Sequence, residues 1–164
     1  SHNLMLGTSP TEFSPNITMT RGMLVTVLYR MNGSPSVSGK TPFTDVRTDE
    51  WYSAAVLWAY QNGIVTGMSD TTFDPINNVT REQMATILFR YTKTAAPDKA
   101  KASADLSGFA DAGSVNDWAV DAMRWAVGQK LIAGITLEQS VYLQPRGNAT
   151  RAQAATVLTR YYAQ

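Results

Sequence analysis

Cysteine is absent from the 164 residues, and histidine occurs once, as His2 beside Ser1. The first absence excludes a disulfide framework and thiolate metal ligation. The second removes the commonest general base, because a lone histidine at a frayed end reads as an expression-tag remnant. Charge is also sparse. Charged residues make up 16% of the chain, with 14 Lys+Arg against 13 Asp+Glu for a net charge of +1, and Lys93, Lys99 and Lys101 form no basic block. That excludes the concentrated cationic face that nucleic acid requires. No apolar run approaches the ~20 residues of a spanning helix, and no charged-then-apolar leader precedes the first motif. We therefore expect a soluble fragment, not inserted in a membrane, whose export signal lies outside it. EF-hand loops, phosphate-cradling glycine loops and Gly-x-Ser-x-Gly elbows are missing too, so Asp70, Asp74, Asp111 and Asp117 read neither as a calcium site nor as a catalytic pair. Asn16-Ile17-Thr18, Asn78-Val79-Thr80 and Asn148-Ala149-Thr150 match a glycosylation pattern, but two of them are by-products of a turn Asn before a capping Thr. The expectation is no catalytic residue, no metal and no cofactor.

What is present is a 44% hydrophobic composition, enough for a genuine core, and an internal repeat. Pro15, Thr20, Arg21 and Arg30 recur as Pro75, Thr80, Arg81 and Arg90, and again as Pro145, Thr150, Arg151 and Arg160. Upstream of the second and third copies, Phe43, Asp45, Trp51 and Trp58 answer to Phe109, Asp111, Trp118 and Trp125. A Gly-bounded apolar turn follows, Gly63 to Gly67 in copy two and Lys130 to Gly134 in copy three. Copy one opens directly at that turn, ending in Gly7, so the expectation is a first copy without its first helix. The repeats divide the chain into 1–31, 41–91 and 108–164, joined by linkers 32–40 and 92–107 that are rich in small residues and Pro or Lys.

Thr80 with Gln83, and Thr150 with Gln153, read as capping boxes; Thr20 has Met23 in the third position, which leaves its box half made. Beyond the caps, Met84, Ile87, Leu88 and Tyr91 recur at helical spacing, as do Leu24, Val27, Leu28 and Met31. Trp51, Ala55 and Trp58 share a face when counted as helix, as do Trp118, Ala122 and Trp125, and core packing is preferred for them over sugar stacking. Arg30, Arg90 and Arg160 fall in the last turn, where a cation suits the helix dipole.

Arg21, Arg81 and Arg151 run against that dipole, since each opens a helix at its positive end. Two readings stand side by side. One is anion binding, in which free first-turn amides and a guanidinium receive a carboxylate or phosphate. The other is an ion pair to an aspartate of the neighbouring copy, with Asp45 and Asp111 as partners.

In order, Phe43-Thr44-Asp45, Trp51, Gly63-Ile64-Val65-Thr66-Gly67, Asp70-Thr71-Thr72-Phe73-Asp74-Pro75 and Val79-Thr80-Arg81-Glu82-Gln83 resemble the S-layer homology domain repeat, and the likeness covers almost the whole chain outside the linkers. The resemblance implies an all-α, pseudo-threefold array of helix-loop-helix repeats around a central three-helix bundle. It further implies grooves that bind secondary cell wall polysaccharide, often carrying a pyruvate ketal whose carboxylate would meet a cation. By that resemblance Arg21, Arg81 and Arg151 hold the anion with Asp45 and Asp111 in the same site. Thr20, Thr80 and Thr150 are helix caps, and Gly7, Gly67 and Gly134 let the backbone approach the ligand. The expected function is noncovalent anchoring of an extracellular protein to the bacterial wall, with other chains of the same protein as a second class of partner. The competing readings are a structural spacer with no live glycan site, and an enzyme acting through a carboxylate pair. Thr71 stands where the repeat has Gly, Gln83 and Gln153 stand where it has Glu, and copy three's loop from Ile135 to Tyr142 is longer, which puts that groove in question.

Overall fold

A computed structural model describes residues 16–164; Gly7 and the rest of the opening segment lie outside the described residues. Helices α1 (Arg21–Met31), α3 (Arg81–Ala95) and α5 (Arg151–Tyr162) carry the Thr-Arg motif, while α2 (Ser53–Gln61) and α4 (Val120–Gly128) open copies two and three. A short antiparallel hairpin, β1 (Ile135–Leu137) and β2 (Ser140–Tyr142), pairs Ile135 with Tyr142 and Leu137 with Ser140. The fold is thus mainly helical, and the hairpin departs from the all-α expectation. It absorbs the extra loop length of copy three while keeping one tie: Ala110 N donates to Val141 O at 2.9 Å, as Thr44 N does to Thr71 O at 2.8 Å in copy two.

The three motif helices start where they do because a threonine in extended conformation caps each one. Thr80 Oγ1 accepts from Gln83 N at 3.2 Å while Gln83 Oε1 accepts from Thr80 N at 3.1 Å, and Thr150 with Gln153 repeats the exchange. In copy one Met23 completes the box after all, because its thioether sulfur accepts from Thr20 N at 3.5 Å. Sulfur is a weak acceptor, so the geometry survives with a poorer partner.

The segments just before the caps join into a closed circuit. Met19 N donates to Ala149 O at 2.8 Å, Ala149 N to Val79 O at 2.9 Å, and Val79 N to Met19 O at 2.8 Å. All three side chains are fully buried. At the far ends, Asn32 Nδ2 reaches Tyr91 OH at 3.0 Å and Thr92 Oγ1 reaches Tyr161 OH at 3.0 Å, tying α1 to α3 and α3 to α5. Helices α1 and α3 then each pack against the first helix of the next copy, α1 on α2 and α3 on α4. Trp58 and Trp125, 7% and 1% exposed, fill those seams, and one continuous core of buried residues runs through the copies.

Helix α3 runs to Ala95, beyond the linker start expected at Thr92, and Thr92 itself is fully buried. The remainder of that linker is a strap on α4. Trp125 Nε1 donates to Lys99 O at 2.8 Å, Arg124 Nε to Ala104 O at 2.9 Å, and Leu106 enters the core.

Candidate functional site

The arginines that open α1 and α3 are buried, at 5% and 7% exposure, and each reaches into the following copy. Arg21 Nε donates to Phe73 O at 2.8 Å, with its guanidinium 4.8 Å from the centre of the Phe73 ring. Arg81 Nε donates to Leu143 O at 2.8 Å. The aspartates approach the same loop residue from the other side. Asp45 accepts from Phe73 N at 2.9 Å and Asp74 N at 2.7 Å, and Asp111 accepts from Leu143 N at 2.7 Å and Gln144 N at 2.8 Å. The expected ion pairs of Asp45 with Arg21 and of Asp111 with Arg81 are therefore replaced by a two-sided clamp on one loop. Both carboxylates are spent on backbone amides, so neither is disposed for acid–base work. What they hold is a strained turn: Asp74 and Gln144, each just before a proline, sit at φ +63° and +48°.

The first-turn amides are not free for an anion, which corrects one premise of the sequence reading. Arg21 N donates to Asn77 O at 2.9 Å, Gly22 N to Pro75 O at 2.8 Å and Met23 N to Thr20 Oγ1 at 3.1 Å. In α3, Arg81 N donates to Gly147 O and Glu82 N to Pro145 O, both at 2.9 Å, and Arg151 N of α5 donates to Ile17 O at 2.9 Å. The first two amides of α1 and of α3, and the first of α5, are consumed by inter-copy carbonyls. Any anion must instead meet side-chain cations.

Two grooves offer such cations. The first, about 330 Å³, lies between Arg21, the turn from Val65 to Met68, the α3 residues Gln83, Thr86, Ile87 and Arg90, and Trp118. The second, about 300 Å³, is its counterpart one copy on, between Arg81, the turn from Leu131 to Ile135, and Gln153, Thr156, Val157 and Arg160 of α5. Copy three thus keeps a groove despite its altered loop. Gly67 and Gly134 both adopt φ +84°, and a Cβ on Gly67 would stand 2.5 Å from Phe43 Cε1, so glycine is required for the turn to fold over that ring.

Arg90 and Arg160 were read from the sequence as structural charges at helix ends, yet both line grooves. Arg90 is not in the last turn at all, because α3 continues to Ala95, and its Nη1 donates to Thr66 Oγ1 at 3.3 Å. Arg160 Nη1 donates to Leu131 O at 3.2 Å. The tryptophans divide as well. Trp118 and Trp51 are 54% and 57% exposed, whereas Trp125 and Trp58 are core. Trp51 lies before α2 begins, and Trp118 lies in the short 3-10 turn Asp117–Ala119, so the helical face shared on paper does not exist. Only an exposed aromatic can stack on a ligand, and Trp118 stands at the rim of the first groove.

Burial holds the guanidiniums of Arg21, Arg81 and Arg90 below the ordinary arginine range. Asp74 and Asp45 push Arg21 back up while Arg90 pushes it down, and Asp111 pushes Arg81 up. Two partly desolvated cations, Arg21 and Arg90, thus line the first groove, while the nearby carboxylates are already bonded to amides.

A family model described as S-layer homology domain matches residues 42–85 and 108–155, so the chain belongs to the S-layer homology domain family. Domains of this family are modules that anchor surface proteins to the cell wall, which makes the chain a cell-surface, wall-associated module. It is 33% identical over 95% of its length to an endoglucanase of Bacillus sp. (strain KSM-635). It is 32% identical over 91% to a surface-layer 125 kDa protein of Lysinibacillus sphaericus, and 29% identical over 96% to an amylopullulanase of Thermoanaerobacterium thermosulfurigenes. The match takes in 16%, 12% and 8% of those three proteins, so the chain spans only a small part of these curated relatives. Among the described residues, no helix is long and apolar enough to cross a membrane.

Proposed function

We propose that this chain anchors its parent protein by binding an acidic secondary cell wall polysaccharide, carrying a pyruvate ketal, in the grooves between successive repeats. The observation that carries this reading is the pairing of Arg21 with Arg90 on one groove and of Arg81 with Arg160 on the next. A guanidinium presents a planar donor fork suited to a carboxylate. An exposed indole beside it, Trp118, suits the apolar face of a sugar ring. Gly67 and Gly134 bring backbone to the groove wall, and Asp45 and Asp111 act by holding the clamped loop rather than by touching the ligand.

The arrangement we favour is pseudo-threefold. It is supported by the closed hydrogen-bond circuit through Met19, Val79 and Ala149 and by the cyclic order in which each helix start takes a carbonyl from the next copy. Under this arrangement the motif helices form a central bundle, and Arg151 serves a third groove toward copy one. Several weak grooves would add along a repetitive polymer through effective concentration. The small share of the endoglucanase and amylopullulanase that the chain covers supports its being the anchoring segment of a longer protein.

Calorimetric titration with purified wall polysaccharide, before and after mild-acid removal of the ketal, tests the reading. Binding that disappears with the ketal is expected. Equal binding to both forms would refute the anionic recognition, and binding to neither would leave the spacer as the better account.

A further inference from the structure

We infer that Glu82 is the positioning residue for Trp118: it straps the third copy's rim onto the groove that the first two copies build. This deepens the polysaccharide reading of that groove and rests on it. Glu82 is 2% exposed at the second position of α3, the helix whose Gln83, Thr86 and Arg90 line the same groove. Its Oε2 accepts from Asn116 N at 3.0 Å and its Oε1 accepts from Asn116 Nδ2. A buried carboxylate with both oxygens on one residue is a rigid, charge-assisted tie. Asn116 in turn accepts from Arg146 Nη2 at 3.3 Å and stands immediately before the 3-10 turn Asp117–Ala119. Ala119 is fully buried. Trp118 is thus held between a strapped residue and a sunken one while its own indole stays half exposed.

Copy one has no such strap. Gly22 occupies the place of Glu82, and a Cβ there would come within 2.9 Å of Pro75 O and 3.4 Å of Tyr52 Cβ. Buried Tyr52 follows Trp51 where Ala119 follows Trp118, so bulk on one side of the seam is exchanged for bulk on the other. Trp51 is accordingly an internal control for any effect of Glu82.

The experiment uses the chain labelled with 5-fluorotryptophan, its four ¹⁹F resonances assigned by single Trp→Phe variants. Glu82→Ala is expected to shift and narrow the Trp118 resonance, leave that of Trp51 in place, and weaken pelleting with wall sacculi by about fivefold. The double variant Glu82→Ala/Trp118→Ala should bind no worse than Trp118→Ala alone, since one residue acts through the other. Glu82→Gln, which keeps an acceptor for Asn116 N, should restore most of the native signal. An unmoved Trp118 resonance, or a Glu82→Ala loss that persists in full without Trp118, overturns the assignment. Should Glu82→Ala fail to fold, Asn116→Ala, which removes one of the two bonds, must move the Trp118 resonance part-way. If Trp118→Ala pellets as well as the unaltered chain, the polysaccharide reading of this groove fails, and the ¹⁹F result still decides the strap.

Discussion

Arg21 and Asp45 hold the same residue from opposite sides: the arginine donates to the Phe73 carbonyl at 2.8 Å and the aspartate accepts from the Phe73 amide at 2.9 Å. One comes from copy one and the other from copy two, so the contact is at once a local staple and an inter-repeat joint. Arg81 and Asp111 do the same to Leu143. The opposite charges never need to meet, because the peptide unit between them carries a donor for one and an acceptor for the other.

Removing the acceptor should therefore expose the turn. Asp45→Ala leaves the Phe73 and Asp74 amides without their charged partner, and each lost bond of this kind costs about 1–3 kcal/mol. A loss of about 2–4 kcal/mol is expected in urea denaturation, with Asp45→Asn, which retains one carbonyl oxygen, losing about half as much. An Asp45→Ala variant as stable as the unaltered chain would show the clamp to be dispensable.

Lys130 offers the reverse change. It sits at φ +58° where copy two has Gly63 at φ +68°, at the end of the first helix of its copy. A non-glycine residue there costs about 1–2 kcal/mol, partly offset by the entropy glycine adds to the unfolded chain. Lys130→Gly should thus stabilise the chain by roughly 0.5–1 kcal/mol, read as a raised denaturation midpoint. A lowered midpoint would mean the lysine side chain makes a compensating contact.

The two tryptophans of copy three should separate cleanly. Trp125, 1% exposed with its indole N–H on Lys99 O, belongs to the core, and Trp125→Ala should cost about 3–5 kcal/mol. Trp118→Ala should change stability by no more than about 0.5 kcal/mol, as for an exposed site, while weakening attachment to walls. Matched losses of stability in both would contradict the division.

Much of this was legible in the sequence. The repeat offsets and the threonine caps follow from residues recurring at fixed spacing, because caps and turns depend on near neighbours. The rest depended on contacts between copies. Nothing in the order of residues reveals that the Arg21 and Arg81 amides are taken by Asn77 and Gly147 carbonyls. Arg90 was misread because tertiary packing carries α3 past the apparent linker boundary, and Trp51 and Trp118 because each precedes the helix on whose face it was counted. Met23 completed a capping box that polarity alone would deny it.

Arg21 and Arg90 should differ in what their loss does. Arg90 makes a single 3.3 Å hydrogen bond to Thr66, so Arg90→Ala should weaken wall attachment with a stability change of no more than about 1 kcal/mol. Arg21→Ala should weaken both, since it also releases the Phe73 carbonyl. Attachment through these cations should also fall as salt is raised. Indifference of attachment to Arg90 would remove it from the site.

The most direct measurement is co-sedimentation of the chain with wall sacculi, before and after hydrofluoric acid strips the secondary polysaccharide. Pelleting with native walls that is lost on stripping, and clearly weakened in Arg21→Ala/Arg90→Ala while the folded helical signal is retained, is the predicted result. Pelleting that survives both the stripping and the double substitution would contradict anchoring through the arginine-lined grooves.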